Sequence, residues 1–129
     1  MSQTQTAAKL VSDGRYVDHT PESAVYAGDV VELGTIPLIA PRDIAAGELG
    51  ALDTQGVYDV PKTSDAFDAG DPVYWNSAGN PVSGTAGTGA ADSTTGNLMG
   101  LAVADAAAED SYVRVRLSIA FDQLVPYPT

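Results

Sequence analysis

Acidic side chains are the most numerous groups in this chain that could do chemistry. The chain has 17 Asp and Glu residues in 129. Asp65, Asp68 and Asp71 are spaced three apart, whereas an EF-hand calcium loop places its acids at alternate positions and ends on a bidentate Glu. We therefore interpret these three acids as helix-start and turn residues, and the sequence predicts no metal site.

The sequence contains few residues that could support nucleophilic or His-based catalysis. The chain contains no Cys, and its single histidine, His19, lies in a polar N-terminal stretch rather than in a predicted pocket. A glycine-rich segment at 84–96 is not a phosphate loop, because no Lys or Arg occurs between Lys62 and Arg114 and no helix follows it. No pair of carboxylates stands out as a hydrolase site. We expect a protein that is not an enzyme, with no catalytic residues and no cofactor.

The charge balance excludes two classes of partner. Six basic against 17 acidic residues give a net charge of -11, which disfavours nucleic acid and anionic membrane surfaces. Copies of the chain repel one another at long range, so self-association has to rest on short-range apolar contacts. The first residues, Met1 to Thr6, lack both the basic start and the apolar stretch of a signal peptide. We expect the protein to act where it is made, or to leave inside a particle.

The elements that would position these residues are short strands. Residues 1–24 are polar and predict an extended arm, or a frayed terminus without a role. From Tyr26 onward, β-rich runs alternate with Gly, Pro and Asp, which predicts a sandwich or barrel. One short helix is predicted over Ser64–Ala69, and Pro37 should place its strand at a sheet edge or a bulge. The predicted strands are 29–33, 36–40, 48–52, 56–61, 72–76, 98–103 and 112–119.

One turn pattern recurs along the chain: a small residue, a glycine and an acid, followed by a strand. We expect repeated corners in which glycine adopts a positive φ and the acid bonds the backbone of the turn. The low-complexity segment 84–96 has no large apolar residue and predicts a flexible surface loop. The three corners are Ala27-Gly28-Asp29, Ala46-Gly47-Glu48 and Ala69-Gly70-Asp71.

The clearest strand alternation lies near the C-terminus. Val113, Val115 and Leu117 should face the core, which places Arg114 and Arg116 on the opposite face. In so acidic a protein, we expect the two arginines to meet carboxylates. Those carboxylates belong either to the next strand or to a neighbouring subunit.

The order of several blocks resembles the small capsid cement, or head decoration, family of tailed phages and prophages. The resemblance implies an all-β, compact β-barrel-like (β-tulip) domain over 25–120 with at most one short helix. It also implies an extended N-terminal arm over 1–24 and leaves a C-terminal tail at 121–129. The blocks are Gly28-Asp29-Val30-Val31, Gly56-Val57-Tyr58-Asp59-Val60-Pro61-Lys62, Ala69-Gly70-Asp71-Pro72-Val73-Tyr74-Trp75, Gly100-Leu101-Ala102 and Val113-Arg114-Val115-Arg116-Leu117.

The same resemblance implies a function and partners. Such a protein binds the outside of the assembled, expanded shell of the major capsid protein, stabilises it, and is often a homotrimer. We expect it on the virion exterior, after a period in the host cytoplasm during assembly. The alternatives are another virion component, such as a tail or minor capsid protein, or a carbohydrate-binding β-domain on a fibre. A low aromatic content of 7% disfavours sugar binding.

Two sets of contact residues follow from this reading. Of Tyr74 and Trp75, whose side chains alternate, one should be core and the other interface. The expected subunit contacts are Tyr74, Trp75, Arg114 and Arg116, and the expected capsid contacts in the arm are Lys9, Leu10, Val11, Arg15, Tyr16 and Val17.

Overall fold

A computed structural model describes residues 14–117, and within that range the chain consists of strands and turns. The helix predicted over Ser64–Ala69 is wrong, because Phe67 is buried in an extended backbone that forms a β-bridge with Ala106. The all-β prediction is confirmed. The strands are β1 Tyr16–His19, β2 Val30–Leu33, β3 Ile36–Ile39, β4 Gly50–Asp53, β5 Gly56–Pro61, β6 Pro72–Asn76, β7 Ala90–Asp92, β8 Asn97–Ala102 and β9 Tyr112–Leu117.

The strands form two sheets that follow the same winding. The four-stranded sheet has the order β1-β4-β3-β2, and the five-stranded sheet has the order β5-β9-β8-β6-β7. In the first sheet, β1 lies beside β4 and β2 pairs with β3. In the second sheet, β5 lies beside β9 and β6 pairs with β8 in the same way. The pair Val30↔Ile39 in the first sheet corresponds to Pro72↔Leu101 in the second. The chain thus repeats one four-stranded unit, and β7 is an addition to the second copy.

Matching corners connect the strands of each unit. Val25 bridges to Ile44 in the first unit, and Phe67 bridges to Ala106 in the second. Three of the four corners carry a glycine with positive φ, namely Gly28, Gly47 and Gly70, whereas the fourth has Glu109. The predicted glycine corners are confirmed, except that the Glu48 carboxylate makes no bond to its turn, and the structure adds a fourth corner. The matching side-chain bonds across each bridge are Ala27 N to Asp43 Oδ1 and Ala69 N to Asp105 Oδ1, both 2.8 Å.

The core divides into two clusters of buried side chains. The larger one lies under the five-stranded sheet and includes Phe67, Met99 and Val113, and the smaller one gathers Leu38 and Leu52 in the first sheet. The predicted alternation on β9 is confirmed, since its apolar side chains are buried and its two arginines are exposed. Burial of these aliphatic and aromatic groups supplies the main stabilisation of the fold, since the chain has no Cys and so no disulfide.

Two predicted irregular segments contain strands. Residues 16–19, inside the predicted arm, form β1 and pair with β4 from Tyr16↔Asp53 to His19↔Gly50. The remaining arm residues up to 13 lie outside the described range. Within the predicted flexible loop 84–96, Ala90 and Ala91 are buried in β7. Both strands escaped prediction because they are only four and three residues long, and β7 is made of small residues.

The predictions on sheet edges and closure also need adjustment. β3, which contains Pro37, lies between β4 and β2 and is therefore not an edge strand. Pro37 is tolerated because β3 meets β4 only at Ile39↔Asp53 and continues its ladder with β2. A single parallel bridge, Lys62↔Ala91, joins β7 to the residue after β5. One bridge is less than the continuous ladder of a closed barrel, so the barrel remains an expectation.

Candidate interaction surfaces

Of the three acids spaced three apart, Asp71 accepts a hydrogen bond within its own turn and Asp65 accepts two from a distant segment. The Asp65 Oδ2 atom accepts from both the amide and the hydroxyl of Ser93, and Asp71 Oδ2 accepts from the amide of Asp68 at 2.8 Å. Among residues 14–117, no group of three or more His, Cys, Asp or Glu side chains is arranged to hold a metal ion. In the same range, no helix is long and apolar enough to span a membrane.

Lys62 is a buried cation with a structural role. Its Nζ donates to the carbonyl oxygens of Ala107, Ala108 and Asp110 at 2.8, 3.2 and 3.2 Å. Burial lowers the pKa of Lys62, although the nearby carboxylates Asp110, Asp65 and Glu109 act in the opposite direction. Lys62 therefore fixes the fourth corner to the end of β5 and offers no charge to a partner.

Arg114 is paired within the chain. Its Nε donates to Asp59 Oδ1 at 3.0 Å and its Nη2 to Asp59 Oδ2 at 3.3 Å, across the β5–β9 ladder. These hydrogen bonds hold the pKa of Asp59 below its usual value. For Arg114, the carboxylate on the next strand is thus the correct alternative of the two considered. The pair is exposed, so it contributes only about 0–1 kcal/mol.

Arg116 differs from Arg114 in having no carboxylate within 4.0 Å among the described residues. It lies in a row across the outer face of the five-stranded sheet, with Val57 on one side and Leu101 on the other. Both aliphatic side chains are exposed, at 56% and 46%. A shallow cavity adjoins Arg116 on each side, of about 310 Å³ next to Leu101 and about 280 Å³ next to Val57. We call Val57, Arg116 and Leu101 the Arg116 row.

A groove of about 710 Å³ runs along the first sheet and its second corner. Tyr16, Arg42, Glu48 and Leu49 contribute to its walls. Leu49 is exposed at 70%, the highest fraction among the large apolar residues of the described range. The Arg15 guanidinium lies 5.7 Å from the ring centroid of Tyr16, within the range of a cation–π contact.

A second cleft, of about 670 Å³, separates the first corner from the glycine-rich segment and includes Trp75. Trp75 packs against the larger core cluster and lies so close to Gly89 that a Cβ there would come within 2.6 Å of the ring. Tyr74 is half-buried as well. The structure thus associates Trp75 with the core, and an interface role for Tyr74 stays a prediction.

The predicted arm contacts fall into two groups. Lys9, Leu10 and Val11 lie outside the described residues. Arg15 and Tyr16 are exposed, whereas the Val17 side chain packs against the smaller core cluster.

Sequence reasoning missed two features of the described residues, the structural role of the buried Lys62 and the exposure of the corner at Glu48 and Leu49. A Lys directly after an apolar Val-Pro pair was a usable signal for the role of Lys62, since backbone carbonyl groups without strand partners are common where a strand ends. A Glu in a corner pattern that otherwise carries Asp was a signal for the second.

The comparison with protein families decides what kind of protein these surfaces belong to. A model of the phage cement protein family matches residues 11–117, which includes every described strand. The chain belongs to the phage cement protein family. The resemblance seen in the ordered sequence blocks is thereby confirmed. No curated protein and no solved structure matches the chain.

Membership of the phage cement protein family gives the chain a structural role in association with a phage capsid. The family also favours a non-enzymatic function. Three carboxylates of the described residues bond the backbone of their own turns, which is a structural use of acidic side chains.

Proposed function

We propose that this protein decorates the outside of a tailed-phage capsid, binds the expanded shell of the major capsid protein, and stabilises it as a homotrimer. The observation that carries the proposal is the family match over residues 11–117. A ligand that binds only the expanded lattice shifts the equilibrium toward it by mass action, and many copies add their individual contributions.

The composition of the chain supports an external position. A net charge of -11 makes contact with the packaged genome unfavourable, because both surfaces are negative. The groove along the first sheet presents Tyr16, Arg42 and Leu49, which supply a basic group and apolar area for contact with another protein.

Co-sedimentation of the purified full-length chain with phage shells tests the proposal. We expect saturable binding to expanded shells, weak or no binding to unexpanded shells, and an increase in the temperature at which expanded shells lose integrity. Equal binding to both forms, or binding without stabilisation, would contradict the proposed function.

A second experiment tests the arm. Residues 16–19 are part of a sheet, so the informative deletion removes residues 1–13 and leaves β1 in place. We propose that Lys9, Leu10 and Val11 contact the shell, and we expect the deletion to weaken binding while leaving the melting temperature of the free protein unchanged. Substituting Arg15 or Tyr16 with Ala should weaken binding further, and undiminished binding in all variants would refute the arm contacts.

A further inference from the structure

The second corner of the fold departs from a rule that the other three obey. In each corner, the acid at the fourth turn position donates its own amide to the carbonyl of the first turn position. In three corners, its carboxylate also accepts the amide of that first residue, which closes the turn. These carboxylate bonds are Tyr26 N to Asp29 Oδ2 at 2.9 Å, Asp68 N to Asp71 Oδ2 at 2.8 Å and Ala107 N to Asp110 Oδ2 at 2.9 Å.

Glu48 stands at the equivalent position of the second corner. Its amide donates to the Ala45 carbonyl at 3.1 Å, as in the other corners, but the amide of Ala45 receives no carboxylate. The longer Glu side chain carries its charge past the turn, and among residues 14–117 it has neither a hydrogen bond nor a cation within 4.0 Å. A local stabilising bond is thus absent at one of four equivalent places, and proteins typically break such rules at sites of function.

Leu49 strengthens the case that this corner faces a partner. It follows Glu48 directly and is 70% exposed, so the corner presents a carboxylate and a large aliphatic side chain together. The Arg116 row has the complementary composition: one guanidinium without a carboxylate partner in the described range, between two exposed aliphatic side chains and two shallow cavities.

We propose that Glu48 and Leu49 of one copy dock on the Arg116 row of a second copy, with the carboxylate on Arg116 and Leu49 against Val57 or Leu101. Charge complementarity selects the second copy as occupant, because a short-range acid–arginine contact offsets repulsion between two chains of charge -11. The two surfaces lie on different sheets, and we propose that each copy uses one surface for each neighbour, because such a head-to-tail contact forms a closed ring when its rotation permits. This inference rests on the proposed function only for the trimer size of the ring.

Cysteine cross-linking gives a direct test, because the chain has no Cys. We expect one of the full-length double variants, Leu49→Cys/Leu101→Cys or Leu49→Cys/Val57→Cys, to form disulfide-linked species up to a closed ring, both free at high concentration and bound to expanded shells. The three single variants should not cross-link, since the proposed contact sets Leu49 against the Arg116 row and not against its own copy. Cross-linking of a single variant, or none in either double variant under both conditions, would overturn the proposal.

Charge reversal tests the ion pair. Arg116→Glu should weaken self-association, measured by sedimentation velocity, at least about tenfold, and the added change Glu48→Arg should restore most of the loss. The double variant Ser77→Glu/Ala86→Glu changes the net charge equally at two exposed residues that line neither surface, and it serves as the control. An equal loss in the control would overturn the proposal by assigning the effect to net charge.

Competing occupants of the Arg116 row give different results. If the row faced the shell, Arg116→Glu would abolish shell binding and leave self-association intact, which would refute the inference and preserve the proposed function. If residues 118–129 covered the Arg116 row, the cysteine variants would cross-link only after the chain was truncated behind Leu117. That result would also refute the inference. If the chain without substitutions does not bind expanded shells, that result would refute the proposed function and not the contact between copies.

Discussion

Lys62 is a buried charged side chain with no carboxylate within 4.0 Å among residues 14–117, and it is stable there because three carbonyl oxygens surround its ammonium group. Those carbonyls belong to the fourth corner, which lacks the glycine of the other three. The fourth corner is therefore held by hydrogen bonds from a residue distant in sequence, whereas the other three corners rely on a glycine within the turn. These bonds also link the end of β5 to the loop that precedes β9.

Replacement of Lys62 by Met should destabilise the fold by about 1–3 kcal/mol, because three carbonyl groups lose their donor while the apolar volume is kept. Urea unfolding of the two proteins measures the difference. Arg42→Met, which removes the same charge from an exposed site, should change stability by less than about 0.5 kcal/mol. Similar effects of the two substitutions would refute the structural role of Lys62.

Tyr58 is the residue whose pH dependence is most distinctive. Burial and the hydrogen bond from its hydroxyl to the buried Asp53 carboxylate raise the pKa of Tyr58 above its usual value near 10. Since the folded pKa is the higher one, the contribution of the hydroxyl is complete below pH 10 and is lost as pH rises through the folded value.

Tyr58→Phe should therefore lower the free energy of unfolding by about 1–2 kcal/mol at pH 7. The gap between wild type and variant should shrink above pH 10, and urea titrations from pH 7 to pH 11 would measure it. A gap that widens at alkaline pH would contradict the sign of the linkage.

At the level of elements, the corners organise both sheets. Each leads from a bridge into a strand within six residues, and in three of the four the acid side chain supplies a hydrogen bond that the turn backbone would otherwise lack. The exceptional corner at Glu48 has given up this bond, so its stability and its proposed docking role can be separated by mutation.

Glu48→Asp should add the missing carboxylate bond and raise stability by about 0.5–1 kcal/mol, while weakening self-association, because the shorter side chain no longer reaches Arg116. The mirror change Asp71→Glu should lower stability by a similar amount and leave self-association unaltered. Thermal unfolding and sedimentation velocity give the two readouts. A gain in stability without any loss of association would argue against docking through Glu48.

Strands and corners with strong patterns were predictable from the sequence. The strand at 56–61 was predicted with its observed bounds. The alternation of β9 placed its arginines outward, because neighbouring side chains of a strand face opposite sides and the apolar ones must face the core. β1 and β7 were not predictable, since Tyr16 and Val17 stand alone in a polar segment, β7 consists of small residues and an acid, and both strands owe their form to pairing with β4 and β6. The Arg116 row was equally hidden, because its three members meet only through the register of three strands.

For the whole molecule, the dominant quantity is the net charge of -11. The charge opposes every approach of two copies, whereas the proposed contact acts over a few ångströms. Salt separates the two effects, since the Debye length falls from about 30 Å at 0.01 M to about 3 Å at 1 M.

We expect that raising NaCl from about 0.02 M to about 0.5 M strengthens self-association, because long-range repulsion is screened more than a desolvated contact. Sedimentation velocity at several concentrations measures the change. Weaker association at high salt would show that exposed ion pairs dominate the interface and would contradict an apolar contribution from Leu49.

The entry and exit of the described chain lie side by side. The Thr54 hydroxyl donates to the carbonyl oxygens of Gly14 and Arg15, and two residues later Gly56 pairs with Leu117. Such proximity is the condition for circular permutation. A variant reduced to residues 14–117, with a short linker from Leu117 to Gly14 and new ends at the exposed Gly87, should keep the nine described strands in place, and a peptide fused at Gly87 would be displayed away from that linker.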